Sequence, residues 1–411
     1  MSESGVLVVG GGQAACQLAV SLREMGYDLP ITIVGEEPHS PYQRPPLSKA
    51  FLAGKADITT LAFRSDDYYQ RQGVRVVTGQ QVVAFSMADK HHGGSAHTDS
   101  GEDLPFSNLV LAVGAAARKL DVPGSDMDGI LTLRDVADAT EFRARMHRCQ
   151  DLVVIGGGFI GLETAAVARR RGCNVTVIES GDRLLARAVA PAVSDFYLTA
   201  HERRGTRVLL GAGVTSFEGE KGTVRRVVLA DGQVLDADLV VVGIGAAPRL
   251  ELARQLGLKC NAGIVVDEHA RTSLPTVLAA GDCTETPHPL SVVSSPIRLE
   301  SVQNAVDQAK CAAATIMGTP RAYSSVPWFW SDQDTLKLQI AGLSTGYDQT
   351  VQRGDPQKES FSILYYRKGS LVAVNAVNRP RDYMAVRRAL AAGLTISPAI
   401  AADVSNLLRV E

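Results

Sequence analysis

The chain has 411 residues, more than one ordinary core accommodates, and this length predicts roughly two to four domains. Hydrophobic residues make up 45% and charged residues 21%, a balance that excludes a disordered or coiled-coil protein. The 42 basic and 44 acidic residues leave a formal charge of -2, so general binding to nucleic acid or to anionic membranes is not expected.

The cysteines and the first residues both indicate a cytoplasmic protein. Residues 2–4 lead directly into a strand-like segment without a basic stretch, and no apolar run reaches the ~18 residues that span a bilayer. No two cysteines have the spacing of a metal or redox motif, so no metal site is predicted, and the cysteines are expected to be small buried residues in a reducing compartment. The six cysteines are Cys16, Cys149, Cys173, Cys260, Cys283 and Cys311.

A strand–helix–strand pattern occurs twice. Continuous β-branched runs, joined by stretches of crossover-helix length, predict two parallel βαβ units. The predicted elements are strand 6–9, helix 16–25 and strand 31–35, and then strand 152–155, helix 162–171 and strand 175–178. Further strands are predicted at 74–78 and 109–113 for the first unit, and at 207–210, 224–229 and 239–242 for the second.

The pattern breaks at residues 243–248. Beyond them, two short strands and a helix do not make a complete domain, so we interpret this stretch as a return to the first one. These elements are predicted at 264–267, 277–279 and 302–317. The last stretch carries Trp328 and Trp330, strands at 336–341, 361–367 and 371–375, and a helix at 383–392, which predicts an antiparallel sheet with a terminal helix.

These elements predict an α/β fold class with two Rossmann-like nucleotide-binding domains and a C-terminal α+β domain. The predicted limits are residues 1–112 with 245–319 for the first domain, 113–244 for the second and 320–411 for the third.

Both strand–helix turns carry a glycine pattern. The first glycine makes the tight turn, the second admits a pyrophosphate close to the backbone, and the third position lets helix and strand approach. Phosphates would then meet exposed N–H groups at the helix N-terminus. One such turn is weak evidence, but two in the same context predict two dinucleotide sites. The patterns are Gly10, Gly12 and Ala15 (GxGxxA), and Gly156, Gly158 and Gly161 (GxGxxG).

An acid follows the second strand of each unit, at Glu36 and Glu179. Each lies a little beyond the ~20-residue offset expected for a ribose contact. Glu179 is expected to accept hydrogen bonds from the adenosine ribose and to repel the 2′-phosphate of NADP, so NADH is preferred over NADPH. Arg183 could pair with that phosphate, but we interpret it as surface charge.

Residues 41–49 read Pro-Tyr-Gln-Arg-Pro-Pro-Leu-Ser-Lys. Pro45 and Pro46 predict a rigid extended piece without N–H groups, flanked by the cations Arg44 and Lys49. A surface loop with solvated cations is an alternative interpretation.

Together with Ala-Gly-Asp at 280–282 and Glu-Ser-Val-Gln-Asn-Ala at 300–305, these motifs resemble the FAD-dependent pyridine nucleotide–disulfide oxidoreductase superfamily. Within it, nearly the whole chain resembles the ferredoxin reductases that serve oxygenases. The resemblance implies a glutathione reductase-like fold, with FAD on the first domain and NADH on the second.

The resemblance also implies residue roles. Lys49 would lie beside the isoalloxazine, Arg44 towards the FAD phosphates, and Asp282 near the ribityl hydroxyls. Glu163 would lie near the nicotinamide, although a helix-dipole acid would also explain it. The helix of Gln303 and Asn304 is expected to face the flavin pyrimidine ring. The remaining implied contacts are Gly10, Gly12, Ala15, Glu36, Val82, Ala112 and Val302 for FAD, and Gly156, Gly158, Gly161, Glu179 and Gly245 for NAD.

Residues 41–49 depart from the disulfide enzymes of this superfamily because they contain no cysteine. Electrons from a reduced flavin must therefore leave to an external acceptor. Two tryptophans as close as Trp328 and Trp330 are more often core anchors, but the resemblance implies an aromatic at the flavin edge, and Trp330 is the residue expected there. An acidic ferredoxin would require a basic rim, for which the candidates are Arg64, Lys310, Lys337, Arg387 and Arg388, with solvated surface charge as the alternative.

The predicted function is an NADH-dependent ferredoxin reductase with catalytic residues Lys49, Glu163 and Trp330. It would pass electrons through FAD to a [2Fe–2S] ferredoxin supplying a cytochrome P450 or a Rieske oxygenase, as a monomer or weak homodimer. The alternatives are a rubredoxin reductase, an NADH oxidase, and a non-enzymatic flavoprotein resembling apoptosis-inducing factor. The near-neutral charge disfavours the last.

Overall fold

The computed structural model describes residues 4–89, 92–292 and 296–410. The strands are β1 Val6–Val9, β2 Ile31–Gly35, β3 Val74–Thr78, β4 Val82–Met87, β5 Gly94–Thr98, β6 Asp103–Phe106, β7 Asn108–Leu111, β8 Ala115–Ala117, β9 Ile130–Leu131, β10 Asp151–Ile155, β11 Asn174–Glu179, β12 Thr206–Leu210, β13 Val214–Glu220, β14 Thr223–Leu229, β15 Val234–Asp236, β16 Leu239–Val242, β17 Ala246–Pro248, β18 Ile264–Val265, β19 Val277–Ala279, β20 Thr284–Glu285, β21 Trp328–Gln333, β22 Leu336–Gly342, β23 Gln349–Asp355, β24 Ser360–Arg367 and β25 Ser370–Val377.

The α-helices are α1 Gln13–Glu24, α2 Ile58–Leu61, α3 Asp66–Arg71, α4 Val136–Met146, α5 Phe159–Arg170, α6 Pro191–Arg203, α7 Glu251–Gln255, α8 Val302–Ile316, α9 Pro380–Ala391 and α10 Pro398–Ala402. A π-helix spans Leu47–Phe51 and a 3₁₀ helix spans Pro356–Lys358.

The chain divides into two compact units. The first consists of Met1–Gln43, Leu61–Ala116 and Pro248–Phe329, and the second of Arg44–Thr60, Ala117–Ala247 and Trp330–Glu411. The predicted three-domain limits stay a prediction.

The first unit is built on a parallel sheet in the order β19-β7-β1-β2-β3. Val6 and Val8 of its central strand face one core, while Leu7 and Val9 face another. Helices α1 and α8 pack together in the first of these cores through small side chains. Because β1 is buried on both faces, its sequence is a continuous apolar run rather than an alternating one.

The second unit contains a parallel sheet in the order β12-β11-β10-β16-β9. Leu152 and Val154 face a core shared with α5 and α6, while Val153 and Ile155 face the antiparallel sheet β13-β14-β15. The same unit holds the sheet β21-β22-β25-β24-β23, which is antiparallel from β22 to β23 and against which α9 packs.

The predicted βαβ units are confirmed, and β16 and β19 have their predicted bounds. Both crossover helices begin three residues earlier than predicted, because Gly12 and Gly158 are their N-caps. The prediction of an extended piece at Pro45–Pro46 is wrong. The Leu47 N–H donates to Arg44 O at 2.9 Å, which closes a turn over both prolines, and Pro46 has αR dihedrals (φ -68°, ψ -17°) just before the π-helix. Proline fixes φ near about -65°, a value that suits a turn or the start of a helix as well as an extended segment.

Candidate active site

The turn between β1 and α1 has the geometry of a phosphate cradle. Gly10 has φ +123°, and a Cβ there would lie 2.2 Å from the carbonyl oxygen of Ala112, so only glycine fits. Gly12 caps α1 without a side-chain hydrogen bond, and a Cβ there would meet nothing within 4 Å. Ala15 is fully buried. The helix N-terminus is therefore open to an approaching anion, as a dinucleotide pyrophosphate requires.

The turn between β10 and α5 repeats this arrangement in the second unit. Gly156 has φ +111°, and a Cβ there would lie 2.5 Å from the oxygen of Gly243. A Cβ on Gly161 would lie 2.1 Å from the oxygen of Gly156, whereas Gly158, the N-cap of α5, has open space around it. These residues fit a second dinucleotide.

Glu179, at the end of β11, lies beside this second turn. Its Oε2 accepts a hydrogen bond from the backbone N–H of Gly157 at 2.7 Å, and its Oε1 accepts one from that of Gly181 at 2.7 Å. The carboxylate is thereby held at the turn, where the ribose of a bound dinucleotide would lie. The guanidinium of Arg183 instead donates to Ala186 O and Val189 O in its own loop and to Ser194 Oγ in α6.

Glu36, the corresponding acid of the first unit, is 40% exposed and forms an ion pair with Arg249. Arg249 was not predicted from the sequence, because it lies 213 residues away along the chain. A ribose contact by Glu36 stays a prediction.

A buried ion pair joins Lys49 to Glu163. Lys49 Nζ lies 2.6 Å from Glu163 Oε2, and the Glu163 side chain is only 2% exposed. The same Oε2 accepts a hydrogen bond from Ser48 Oγ at 2.5 Å, and Oε1 accepts one from Ser331 Oγ at 2.6 Å. A carboxylate this deeply buried needs such donors, because burial without them is costly. Ser48 and Ser331 were missed, since a lone serine carries no sequence signal.

Local packing explains how Lys49 reaches Glu163. The π-helix Leu47–Phe51 packs against α5, and the guanidinium of Arg143 lies over the Phe51 ring, 4.3 Å from its centre. Leu52 is buried in the core of the second unit. The segment that carries Lys49 is therefore attached to the second unit.

Two further predicted residues also lie in the second unit. Arg44 donates to the carbonyl oxygen of Arg134 at 3.1 Å. Gly245 has φ +104°, and the guanidinium of Arg187 lies 3.3 Å from where its Cβ would be. Arg187 and Arg118, which lies beside the same glycine, were not predicted, because isolated arginines resemble surface charge.

In the first unit, a buried glutamine of α8 is hydrogen-bonded to the Ala280–Asp282 turn, and the buried amide of Asn304 lies next to that glutamine. The Oε1 atom of Gln308 accepts hydrogen bonds from the N–H of Gly281 and from Thr284 Oγ1, both at 2.8 Å. Asn304 Oδ1 is buried and, within the described part of the chain, has no hydrogen-bond partner. An unsatisfied buried acceptor on α8 fits a cofactor that donates hydrogen bonds.

The other predicted residues are placed individually. Val82 is buried at the start of β4, Val302 is half-buried at the start of α8, and Asp282 is half-buried at the end of the Ala280–Asp282 turn. Trp330 is half-buried on β21. Of the rim candidates, Arg387 is half-buried and the others, Arg64, Lys310, Lys337 and Arg388, are exposed. Their roles stay predictions.

All six cysteines are free. Cys149 and Cys260 are half-buried rather than fully buried, which corrects the expectation for these two. Burial raises the pKa of every one of the six thiols, to about 12 for Cys149 and Cys283 and to about 11 for Cys311. A high pKa disfavours the thiolate, the form that does redox chemistry.

Among residues 4–89, 92–292 and 296–410, no cluster of three or more His, Cys, Asp or Glu side chains is arranged to hold a metal ion. In the same part of the chain, no helix combines the length and apolar character needed to cross a membrane.

Two family models match the chain. The model of pyridine nucleotide-disulphide oxidoreductases matches residues 4–309, and the model of the reductase C-terminal domain matches residues 328–410. The fold and site define a flavin- and nicotinamide-dependent oxidoreductase, since this family uses FAD and NAD(P)H. The chain belongs to the pyridine nucleotide-disulphide oxidoreductase family.

Within this family, the chain is similar to reductases that are named for ferredoxin-type partners. The chain is 43% identical to rhodocoxin reductase of Rhodococcus erythropolis, over 98% of this chain and 93% of the relative. It is 37% identical to putidaredoxin reductase of Pseudomonas putida, over 99% and 96% of the two chains. The ferredoxin reductase of the CYP199A2 system from Rhodopseudomonas palustris superposes with a TM-score of 0.93 at 41% identity, with 98% of each chain covered. Putidaredoxin reductase in its covalent complex with putidaredoxin superposes with a TM-score of 0.93 at 37% identity, covering 98% of this chain and 96% of the other.

Proposed function

We propose that this protein is an NADH-dependent ferredoxin reductase whose acceptor is a [2Fe–2S] ferredoxin that supplies a cytochrome P450 or a Rieske oxygenase. One observation carries the proposal: two nucleotide turns and a buried Lys49–Glu163 pair occur in a chain whose six thiols all have raised pKa values. Such a protein can bind a flavin and a nicotinamide, and because the raised pKa values disfavour its thiolates, electrons are expected to pass to an external acceptor.

The reaction balances without a protein redox group. When bound, FAD supplies the conversion between the two-electron chemistry of NADH and the one-electron chemistry of an iron–sulfur protein. Each NADH becomes NAD⁺ and a proton, while two ferredoxin molecules take up one electron each. The chain itself supplies binding, orientation and electrostatics.

Each predicted residue has a defined task in this proposal. The Lys49 ammonium stabilises negative charge that develops beside it, and Glu163 keeps that ammonium in one position. Glu179 selects NADH, because its carboxylate accepts ribose hydroxyls and repels a 2′-phosphate. Trp330 is proposed to line the route by which electrons leave.

The names of the relatives support the acceptor. Rhodocoxin reductase, putidaredoxin reductase and the ferredoxin reductase subunit of a Sphingobium O-demethylase each align over at least 98% of this chain. A rubredoxin–NAD⁺ reductase of Pseudomonas putida aligns at 36% identity, over 92% of this chain. These relatives are each named for a small redox-protein partner or a ferredoxin, which supports a small iron–sulfur protein as the acceptor here.

Partner binding is proposed to depend on charge. Arg64 and Lys310 are exposed in the first unit, and Lys337 and Arg388 are exposed in the second. If these cations attract an acidic ferredoxin, the apparent KM for the ferredoxin should rise with salt. Sedimentation would test the predicted monomer or weak homodimer.

The test is NADH-dependent reduction of cytochrome c with and without an adrenodoxin-type [2Fe–2S] ferredoxin. The proposal predicts that the ferredoxin accelerates reduction strongly. Equal rates with and without ferredoxin, accompanied by rapid NADH consumption in air, would identify an oxidase. Acceleration by rubredoxin alone would identify a rubredoxin reductase.

A further inference from the structure

A line of buried polar groups continues from Glu163 into the second unit. Glu163 Oε1 accepts from Ser331 Oγ at 2.6 Å, and Ser331 Oγ accepts from Gln333 Nε2 at 3.2 Å. Gln333 Oε1 lies 2.9 Å from His201 Nε2. All four side chains are at most 2% exposed. Polar groups in such a line are costly to bury unless each of them forms its hydrogen bond.

The elements explain why these groups meet. Ser331 and Gln333 are two residues apart on β21, so they point to the same face of the strand. His201 lies in the last turn of α6, and Glu163 lies in α5. This line of hydrogen bonds thus connects β21 and α6 to α5, the helix that follows the second glycine turn. All of these groups lie within the second compact unit.

The hydrogen bonds run in one direction. The Ser331 hydroxyl has a single proton, and an ionised carboxylate can only accept, so this proton goes to Glu163. Ser331 therefore accepts from the Gln333 amide, which leaves Gln333 Oε1 to accept from His201. His201 must then carry its proton on Nε2.

The surroundings of His201 favour a neutral imidazole that donates its Nε2–H to Gln333. Burial lowers the pKa of His201, so the imidazole is neutral at neutral pH and donates through one nitrogen. The Tyr197 ring lies one helical turn away, 6.4 Å between ring centres, and is fully buried. Water has little access to compete for these bonds.

We propose that His201, Gln333 and Ser331 are positioning residues that hold the Glu163 carboxylate in one orientation, with Oε1 occupied by Ser331 and Oε2 directed at Lys49 and Ser48. This inference rests on the proposed function, because the orientation matters for hydride transfer from NADH. It adds three residues to the site, none of which was among the residues predicted from the sequence.

The alternative is that these hydrogen bonds only stabilise the packing of β21 against α6. The two roles differ in what a variant changes. A purely structural link would lower the thermal midpoint alone, whereas a positioning link would also slow flavin reduction at saturating NADH.

The test uses two matched substitutions at His201 in the FAD-loaded enzyme. Gln and Met have similar size and flexibility, but only Gln can donate to Gln333. We expect His201→Met and Ser331→Ala to slow flavin reduction about tenfold in anaerobic stopped flow, with NADH affinity within about twofold of wild type. His201→Gln should restore most of the rate.

The control for Ser331→Ala is Ser362→Ala. Ser362 is also fully buried on the C-terminal sheet, and its Oγ donates to Asp382 Oδ2 at 3.0 Å. We expect Ser362→Ala to lower the thermal midpoint about as much as Ser331→Ala while leaving the flavin reduction rate unchanged.

A second measurement does not depend on turnover. Nitrogen-15 NMR of labelled histidine should show His201 as the neutral Nε2–H form, and its Nε2 shift should move in Gln333→Met and in Glu163→Gln. Unchanged flavin reduction in Ser331→Ala and His201→Met, or a neutral Nδ1–H form, would overturn the inference. A wild-type flavin that NADH does not reduce would instead refute the proposed function. The NMR result would still decide in which direction the hydrogen bonds between His201 and Glu163 are donated.

Discussion

The Nζ atom of Lys49 lies 2.6 Å from the Oε2 atom of Glu163, although 114 positions separate the two residues along the chain. Glu163 is 2% exposed and Lys49 is 19% exposed. Removing one partner of such a pair leaves the other charge poorly solvated, so the pair is easily damaged by single substitutions.

Glu163→Gln is expected to slow flavin reduction by NADH about 10- to 100-fold and to cost roughly 1–3 kcal/mol of stability. The amide keeps the size of the side chain but removes the charge that faces Lys49. Stopped flow and urea denaturation measure the two effects. Glu141→Gln is the control, because Glu141 is an exposed acid that pairs with Arg145 on the surface, and it should change neither quantity appreciably. Wild-type reduction rates in Glu163→Gln would argue against a role for the pair.

Glu179→Ala is expected to weaken NADH binding about tenfold and to reduce the preference for NADH over NADPH. The substitution removes the ribose acceptor and the charge that repels a 2′-phosphate. The ratio of kcat/KM for the two nucleotides measures the change. Arg183→Gln should leave that ratio unaltered, because the Arg183 guanidinium is already hydrogen-bonded to Ala186 O, Val189 O and Ser194 Oγ. A larger effect from Arg183→Gln than from Glu179→Ala would reverse the assignment.

Alanine at the two N-cap glycines should separate the two nucleotide sites. Gly12 and Gly158 have open space where a Cβ would be, so both variants are expected to fold normally. Gly12→Ala should lose FAD, and Gly158→Ala should keep FAD but lose NADH affinity, because the added methyl meets the pyrophosphate. Flavin content and NADH titration report on each. Gly161→Ala is the contrasting case, since its Cβ would lie 2.1 Å from Gly156 O and should destabilise the fold itself.

The sequence predicts the parts of this molecule that rest on local patterns. The runs at β1 and β10 and the glycines at 10 and 156 define strands and turns from neighbouring residues alone. Helix α4 was missed although its buried residues Val136, Ala139, Phe142 and Met146 have helical spacing, because many charged residues stand between them.

The rest could not be predicted because it depends on contacts between distant segments. Ser48 and Ser331 converge on Glu163 from positions 115 and 168 residues away. No local pattern distinguishes either serine from a surface hydroxyl. The family resemblance implied a place for Glu163 and Lys49, but only the packing of the π-helix on α5 shows that they form an ion pair.

The stability of the protein is expected to fall as the pH drops below about 6.5. Burial lowers the pKa of both His201 and His288, so below the pKa of the unfolded chain the unfolded state binds more protons than the native state. Each histidine contributes at most about 1.4 kcal/mol per pH unit. His201→Gln should therefore flatten the dependence of the urea midpoint on pH between about pH 7 and pH 5, whereas substitution of the exposed His147 should not. An unchanged slope in His201→Gln would show that the buried imidazole does not control this loss.

The most direct test of the proposed electron path is an anaerobic double-mixing experiment on the FAD-loaded protein. NADH is mixed first, and an oxidised [2Fe–2S] ferredoxin is added once the yellow colour has been lost. The account predicts that one equivalent of NADH bleaches the flavin and that two equivalents of ferredoxin restore the colour within the turnover time. A flavin that NADH does not bleach, or a bleached flavin that ferredoxin does not reoxidise, would contradict it.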